Sequence, residues 1–179
     1  KQEAKVPPKD ELLTCLEGLP IASSQAFFSK DCADPALCPC GPSDLGKVIE
    51  FYVDDASATL DLCVMELQDF SVSNAAIAAH KRGVTTRVVL DDGYADPEES
   101  YAVEDLHDAG LIPKSDNSQK LMHAKFALVD GENVLVSSAN FSTYDARSNA
   151  NNLIVFRSAG LAAVFENRFE EMWSEGRYH

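Results

Sequence analysis

Residues 121–143 read LMHAKFALVDGENVLVSSANFST, an apolar stretch interrupted by polar residues at regular spacing. His123 and Lys125 are two apart, and so are Ser138 and Asn140. On a strand, side chains two apart point to the same side. KFALVD and NVLVSS flank GEN, which predicts a β-hairpin closed by a tight turn. The hairpin returns Ser138 and Asn140 to the start of the first strand. An imidazole, an ammonium, a hydroxyl and a carboxamide are thereby gathered in one patch. These groups suit phosphodiester chemistry, with neutral imidazole as nucleophile or base and Lys and Asn holding non-bridging oxygens as charge builds.

The elements that must position this hairpin follow from the rest of the pattern. SQAFFS (24–29) predicts a strand, and a helix runs from an N-cap at Ser43 to about Asp55. ATLDLCVMEL (58–67) predicts a buried strand, followed by a helix starting at Ser71 or Ser73 and ending at Gly83. TTRVVLD (85–91) predicts a strand, 98–109 a helix stopped by Gly110, and LIPK a short strand. After the hairpin come the strand NNLIVFR and a closing helix with Leu161, Val164, Phe165, Phe169 and Trp173 on one face. This alternation with short links predicts an α/β fold, a mixed and mainly parallel sheet flanked by helices. At 179 residues the chain fits an N-terminal arm (1–23) and a single domain (24–179) with a Cys-rich loop at 30–42.

Composition is that of a globular protein, 45% hydrophobic and 25% charged, with no apolar run long enough to span a bilayer. The formal charge of −14 disfavours polyanion binding on average, so a nucleic-acid partner would need a local basic groove. Lys81, Arg82 and Arg87 form the best small basic cluster, with a solvated helix end as the simpler reading. His80 at a helix end suits the helix dipole, His107 is expected at the surface, and His179 is terminal. Cys15, Cys32, Cys38 and Cys40 cluster at the front, whereas Cys63 sits in an apolar run. A disulfide, a structural zinc and reduced thiols stand as alternatives for the cluster. Clustered cysteines and a start at Lys1 point towards a secreted, periplasmic or organelle-anchored protein.

The set His123-Ala-Lys125, Asp130 and Ser137-Ser138-Ala-Asn140 resembles the signature of the phospholipase D superfamily. The segments CPCG, ATLDLCV, HKRGVTTRVVLDD, LHDAGL and VFENRFEEMW extend the resemblance over residues 24–175, to the branch with one motif per chain. That branch holds bacterial homodimeric nucleases and the mitochondrial Zucchini-type endonuclease, also described as a cardiolipin hydrolase. The resemblance implies a phosphohistidine on one His, while a second His, from the same position of a twofold partner, protonates the leaving oxygen. It implies a homodimer with its active site at the twofold interface. No metal is then needed for catalysis, because Lys125 and Asn140 of both chains supply the electrostatic clamp. Asp130, at the turn, is expected to orient the hairpin rather than touch substrate.

The sequence departs from that pattern in three places. Ser137 replaces the usual Gly before the motif Ser. Asn151 stands where the family commonly has a Glu that hydrogen-bonds the nucleophilic His, and Glu66 in CVMELQ is a candidate substitute. Zucchini-type proteins can carry a zinc knot of Cys, Cys-x-Cys and a nearby His. Cys32, Cys38 and Cys40 match in kind, but no His follows CPCG, which leaves Asp44 as a candidate fourth ligand and Cys15 as a further ligand or disulfide partner. The expected activity is a metal-independent endonuclease on single-stranded nucleic acid, with hydrolysis of cardiolipin or another phosphatidyl lipid as the alternative.

Overall fold

The computed structural model describes residues 24–29, 44–115 and 120–175. Cys15, Cys32, Cys38, Cys40, Ser43 and His179, with the predicted arm and most of the Cys-rich loop, lie outside these residues. The elements in chain order are β1 (Ser24–Phe28), α1 (Leu45–Asp54), β2 (Thr59–Val64), α2 (Phe70–Lys81), β3 (Thr85–Leu90), α3 (Tyr101–Asp108) and β4 (Lys114–Ser115). They continue with the hairpin β5 (Lys125–Val129) and β6 (Asn133–Ser137), then α4 (Thr143–Arg147), β7 (Asn152–Arg157) and α5 (Ala159–Glu175).

All seven strands form one sheet in the order β1-β7-β6-β5-β2-β3-β4. The expected mainly parallel arrangement is corrected: β2 runs parallel to β3 and β3 to β4, while the other four pairings are antiparallel. Helical crossovers impose parallel pairing in the first half. In the second half the tight turn after β5 and the return into β7 impose antiparallel pairing.

Residue alternation along the strands separates two cores. Leu60, Leu62 and Val64 of β2 join Ala127 and Val129 of β5 beneath α1, α2, α3 and α4. Cys63, Phe126, Leu128 and Val134 face the opposite side and pack on Ala162, Phe169 and Met172 of α5. Val164, expected on the buried face of α5, is instead exposed at 62%. Asp61 also lies on the α5 side, where Arg87 pairs with it through two nitrogens and stacks over Phe169. Arg82 donates to the carbonyls of Asp54 and Ala56. Arg82 and Arg87 are thus engaged in separate structural tasks, and Lys81 is exposed at the helix end.

Two helix starts differ from expectation by one or a few residues. Asp44 caps α1 by accepting from the Lys47 N–H, and Asp69 caps α2 by accepting from the Ser71 N–H. A carboxylate fits these positions as well as a hydroxyl does. Gly46 of α1 allows the two caps to approach: a Cβ there would lie 2.6 Å from Asp69 Oδ2.

Candidate active site

Antiparallel pairing of β5 with both β2 and β6 brings the start of β5 beside the ends of its two neighbours. The segment before β5 is pinned from the same directions. Met65 N–H donates to the Ala124 carbonyl at 3.0 Å, and Met122 N–H donates to Asp91 Oδ2 at 2.7 Å. His123 lies between these anchors, with its side chain exposed and without a hydrogen bond among the described residues. On the other flank, Phe141 is fully buried and ties the end of β6 to the end of β2. Its N–H donates to the Glu66 carbonyl, and its carbonyl accepts from Gln68 and Asp69. Asn140, one residue earlier, is carried to the same edge.

Lys125 pairs with Val64 and is only 6% exposed. Its Nζ donates to the His123 carbonyl at 3.0 Å. Burial lowers its pKa below the ordinary lysine range, opposed by the negative charges of Asp145 and Glu66. Burial also raises the Glu66 pKa above the ordinary carboxylate range; the Asp145 charge adds to this and Lys125 opposes it. Asn140 Oδ1 is buried without a partner. A buried acceptor left unmatched carries a desolvation cost, which a ligand donor would relieve.

Ser138 and Asn151 form a second layer. The Ser138 hydroxyl donates to Asn151 Oδ1 at 2.8 Å and accepts from Asn152 N–H at 3.0 Å. Asn151 Nδ2 donates to the Asp145 carbonyl at 3.0 Å. Asn151 therefore braces Ser138 against α4 and makes no hydrogen bond to the His123 imidazole. Glu66 sits among the charges around Lys125 and makes no hydrogen bond to His123.

Two sequence candidates fall elsewhere. Asp130 lies at the far end of β5, roughly 20 Å from His123 along the strand by its rise per residue. Its carboxylate accepts from Ser57, Ala58 and Thr59 N–H and from the Ser57 hydroxyl. It is outside the catalytic edge and latches the start of β2 onto the hairpin turn. Asp44, besides capping α1, pairs with Arg147 of α4 at 2.5 Å. The three cysteines proposed beside it lie outside the described residues. Among the described residues no group of three His, Cys, Asp or Glu side chains is placed to hold a metal ion.

The site residue that sequence spacing missed is Asp145. It lies in α4, accepts from the Asn140 N–H at 3.2 Å, and acts electrostatically on both Lys125 and Glu66. A signal was present, since Ser142-Thr-Tyr-Asp145 has capping-box spacing and the Ser142 hydroxyl accepts from Asp145 N–H.

Residues 51–173 match a family model described as cardiolipin synthase, PLD-like domain. Proteins named mitochondrial cardiolipin hydrolase match along much of the chain. The one from Xenopus laevis is 30% identical over 91% of this chain and 73% of its own length. The human one is 30% identical over 91% and 64%, and that of Chlamydomonas reinhardtii is 29% identical over 74% and 58%. The chain thus spans less than two thirds of the last two relatives. Among solved structures, a phospholipase D family member, Nuc from Salmonella typhimurium, has a TM-score of 0.72 at 23% identity, covering 88% of this chain and 97% of its own. NucT from Helicobacter pylori has a TM-score of 0.65 at 14% identity, covering 84% and 94%. These likenesses establish a shared fold. With the family match covering most of the chain and the His–Lys–Asn set assembled at one edge, the chain belongs to the phospholipase D superfamily of phosphodiesterases through its PLD-like domain.

Proposed function

We propose that this protein is a metal-independent phosphodiesterase working through a phosphohistidine on His123, as one half of a homodimer with its active site on the twofold axis. The observation that carries this reading is the meeting of an exposed imidazole, a buried ammonium and an unpartnered carboxamide at one sheet edge. A His123 nitrogen attacks phosphorus as the ester P–O bond breaks. His123 of the partner subunit gives its proton to the leaving oxygen. It then takes a proton from the water that attacks the phosphohistidine, so both imidazoles are restored. Lys125 and Asn140 hold the non-bridging oxygens where negative charge grows.

For the substrate, the edge favours a phosphatidyl lipid. Phe28, Phe70, Leu121 and Tyr144 are large apolar side chains left exposed. Phe28 ends β1 beside Asn152, Phe70 follows the Asp69 contact with Phe141, Leu121 precedes His123, and Tyr144 lies in α4. Glu66 and Asp145 in the same region, and a net charge of −14, oppose a polynucleotide and an anionic vesicle alike, so the exposed apolar side chains carry the choice. The relatives named cardiolipin hydrolase agree with this choice. Single-stranded nucleic acid is the second reading, favoured by the exposure of both His123 and Ser138, which lets an extended strand lie across the edge.

The test is to incubate the protein in excess EDTA with cardiolipin vesicles, single-stranded DNA, RNA and duplex DNA, beside His123→Ala. Lipid hydrolysis that persists in EDTA and falls at least about 10²-fold in the variant is expected. An acid-labile phosphatidyl adduct on wild-type protein, joined through a P–N bond and seen by intact mass, is expected with it. Turnover only with divalent metal would refute the mechanism, and cutting of a single strand without lipid turnover would move the assignment to the nuclease.

A further inference from the structure

Asp145 is not part of the His–Lys–Asn motif, yet its bonds reach Asn140 directly and Ser138 through Asn151. Oδ2 accepts the Asn140 N–H, and Oδ1 accepts the Asn149 side-chain amide. The Asp145 carbonyl accepts Asn151 Nδ2, and Asn151 in turn accepts the Ser138 hydroxyl. Ser142 caps the turn that carries Asp145, and the fully buried Ala146 and Phe141 fix that turn to the core. We propose that Asp145 is a positioning residue of this active site: its carboxylate holds the Asn140 N–H and its carbonyl holds Asn151 Nδ2, which fixes that carboxylate at the edge where Lys125 is buried and lets it support the ammonium there.

The physical need is clear from Lys125. Its ammonium is buried, and among the described residues its one hydrogen bond is to a neutral carbonyl, that of His123. Burial alone favours losing the proton, which would remove the positive charge needed opposite a phosphate. The charged or titratable groups around it are Glu66 from the end of β2, Asp145 from α4 and His123 on its own segment. No ion pair within 4 Å joins Lys125 to either carboxylate among the described residues, so its remaining donors are left for a phosphate oxygen. Asp145 thus acts at longer range, where it supports the charge without occupying the binding position.

This inference rests on the phosphodiesterase reading, and the experiment separates the two. The full-length chain is assayed across pH with bis(p-nitrophenyl) phosphate, for wild type, Asp145→Asn and Asp145→Glu, with melting temperatures alongside. Asn keeps an acceptor for the Asn140 N–H but removes the charge. p-Nitrophenolate leaves without taking a proton, so the acid imidazole does not set the alkaline limb here; Lys125 should lose its proton at lower pH in Asp145→Asn, and the alkaline limb of the kcat profile should move to lower pH. On that limb kcat should fall severalfold with KM changed far less. Asp145→Glu, which keeps the charge, should retain the wild-type limb. An unmoved limb in Asp145→Asn, or an equal shift in Asp145→Glu, overturns the proposal. A wild-type protein that turns over no phosphodiester would instead overturn the reading beneath it.

Discussion

Three successive N–H groups, from Ser57 to Thr59, converge on the carboxylate of Asp130, with the Ser57 hydroxyl as a further donor. Burial pushes the Asp130 pKa up, but these hydrogen bonds outweigh it and hold the value below the ordinary carboxylate range. A lowered folded pKa stabilises the fold above the unfolded value of about 3.9. That stabilisation is lost as pH falls through the folded value. Asp130→Asn tolerates the positive φ at this turn but cannot supply the charge. It should cost about 0.5–1.5 kcal/mol at pH 7 by urea denaturation, since these contacts are open to solvent, with the difference shrinking towards pH 3. Turnover should stay near wild type, because Asp130 is at the far end of the strand. Glu66 has the opposite sign: its raised folded pKa gives a contribution present below the unfolded value of about 4.3 and lost as pH rises through the folded one. Glu66→Gln should therefore gain in melting temperature over wild type at pH 7.5 and show little gain at pH 3.5. An equal gap at both values would remove Glu66 from the charged cluster.

At the scale of elements, α4 reaches the site because the N-termini of α1 and α2 lie close together below it. Arg147 of α4 pairs with both cap residues, Asp44 and Asp69. Gly46 is what admits this close approach. Replacing a helical Gly by Ala ordinarily stabilises by up to about 1 kcal/mol. Here the added Cβ would press on Asp69 Oδ2, so Gly46→Ala should instead destabilise, by about 1–3 kcal/mol in chemical denaturation. A stabilised variant would show that the caps can separate freely. The hairpin was legible in the sequence because strand alternation and turn chemistry are local: Asp130 and Gly131 both adopt positive φ, as a mirror-image hairpin turn requires. The five-residue helix α4 is too short to show a period, so its one local signal was the capping spacing from Ser142 to Asp145, and Asp145 was missed. Caps at Asp44 and Asp69 were misplaced by a few residues because Ser and Asp serve equally well at a helix start. Val164 was assigned to the buried face since its spacing fits, but α5 covers only one narrow strip of the sheet.

Across the whole molecule, strand order does what no single element can. β5 is central, with β2 on one side and β6 on the other, so one sheet edge collects groups from residues 66 to 151 of the chain. Sheet direction depended on which distant strands pair, and that is why alternation of helices and strands suggested too much parallel character. Among the described residues one chain nevertheless places a single imidazole, that of His123, at this edge, whereas the proposed reaction uses one to attack and one to protonate. The proposed dimer therefore makes a quantitative claim about mixed subunits. If wild type and His123→Ala are mixed in equal amounts, unfolded and refolded together, about one quarter of dimers are wild type and about half are mixed. When every site needs both imidazoles, the mixed dimers are inactive. Total activity then falls to about half that of the same quantity of wild-type chain refolded alone. Independent sites would leave that activity unchanged, and such a result would place the proton donor within a single chain. Sedimentation of the mixture, with the two chains separated by a mass tag, would establish that exchange had occurred before the rates are compared.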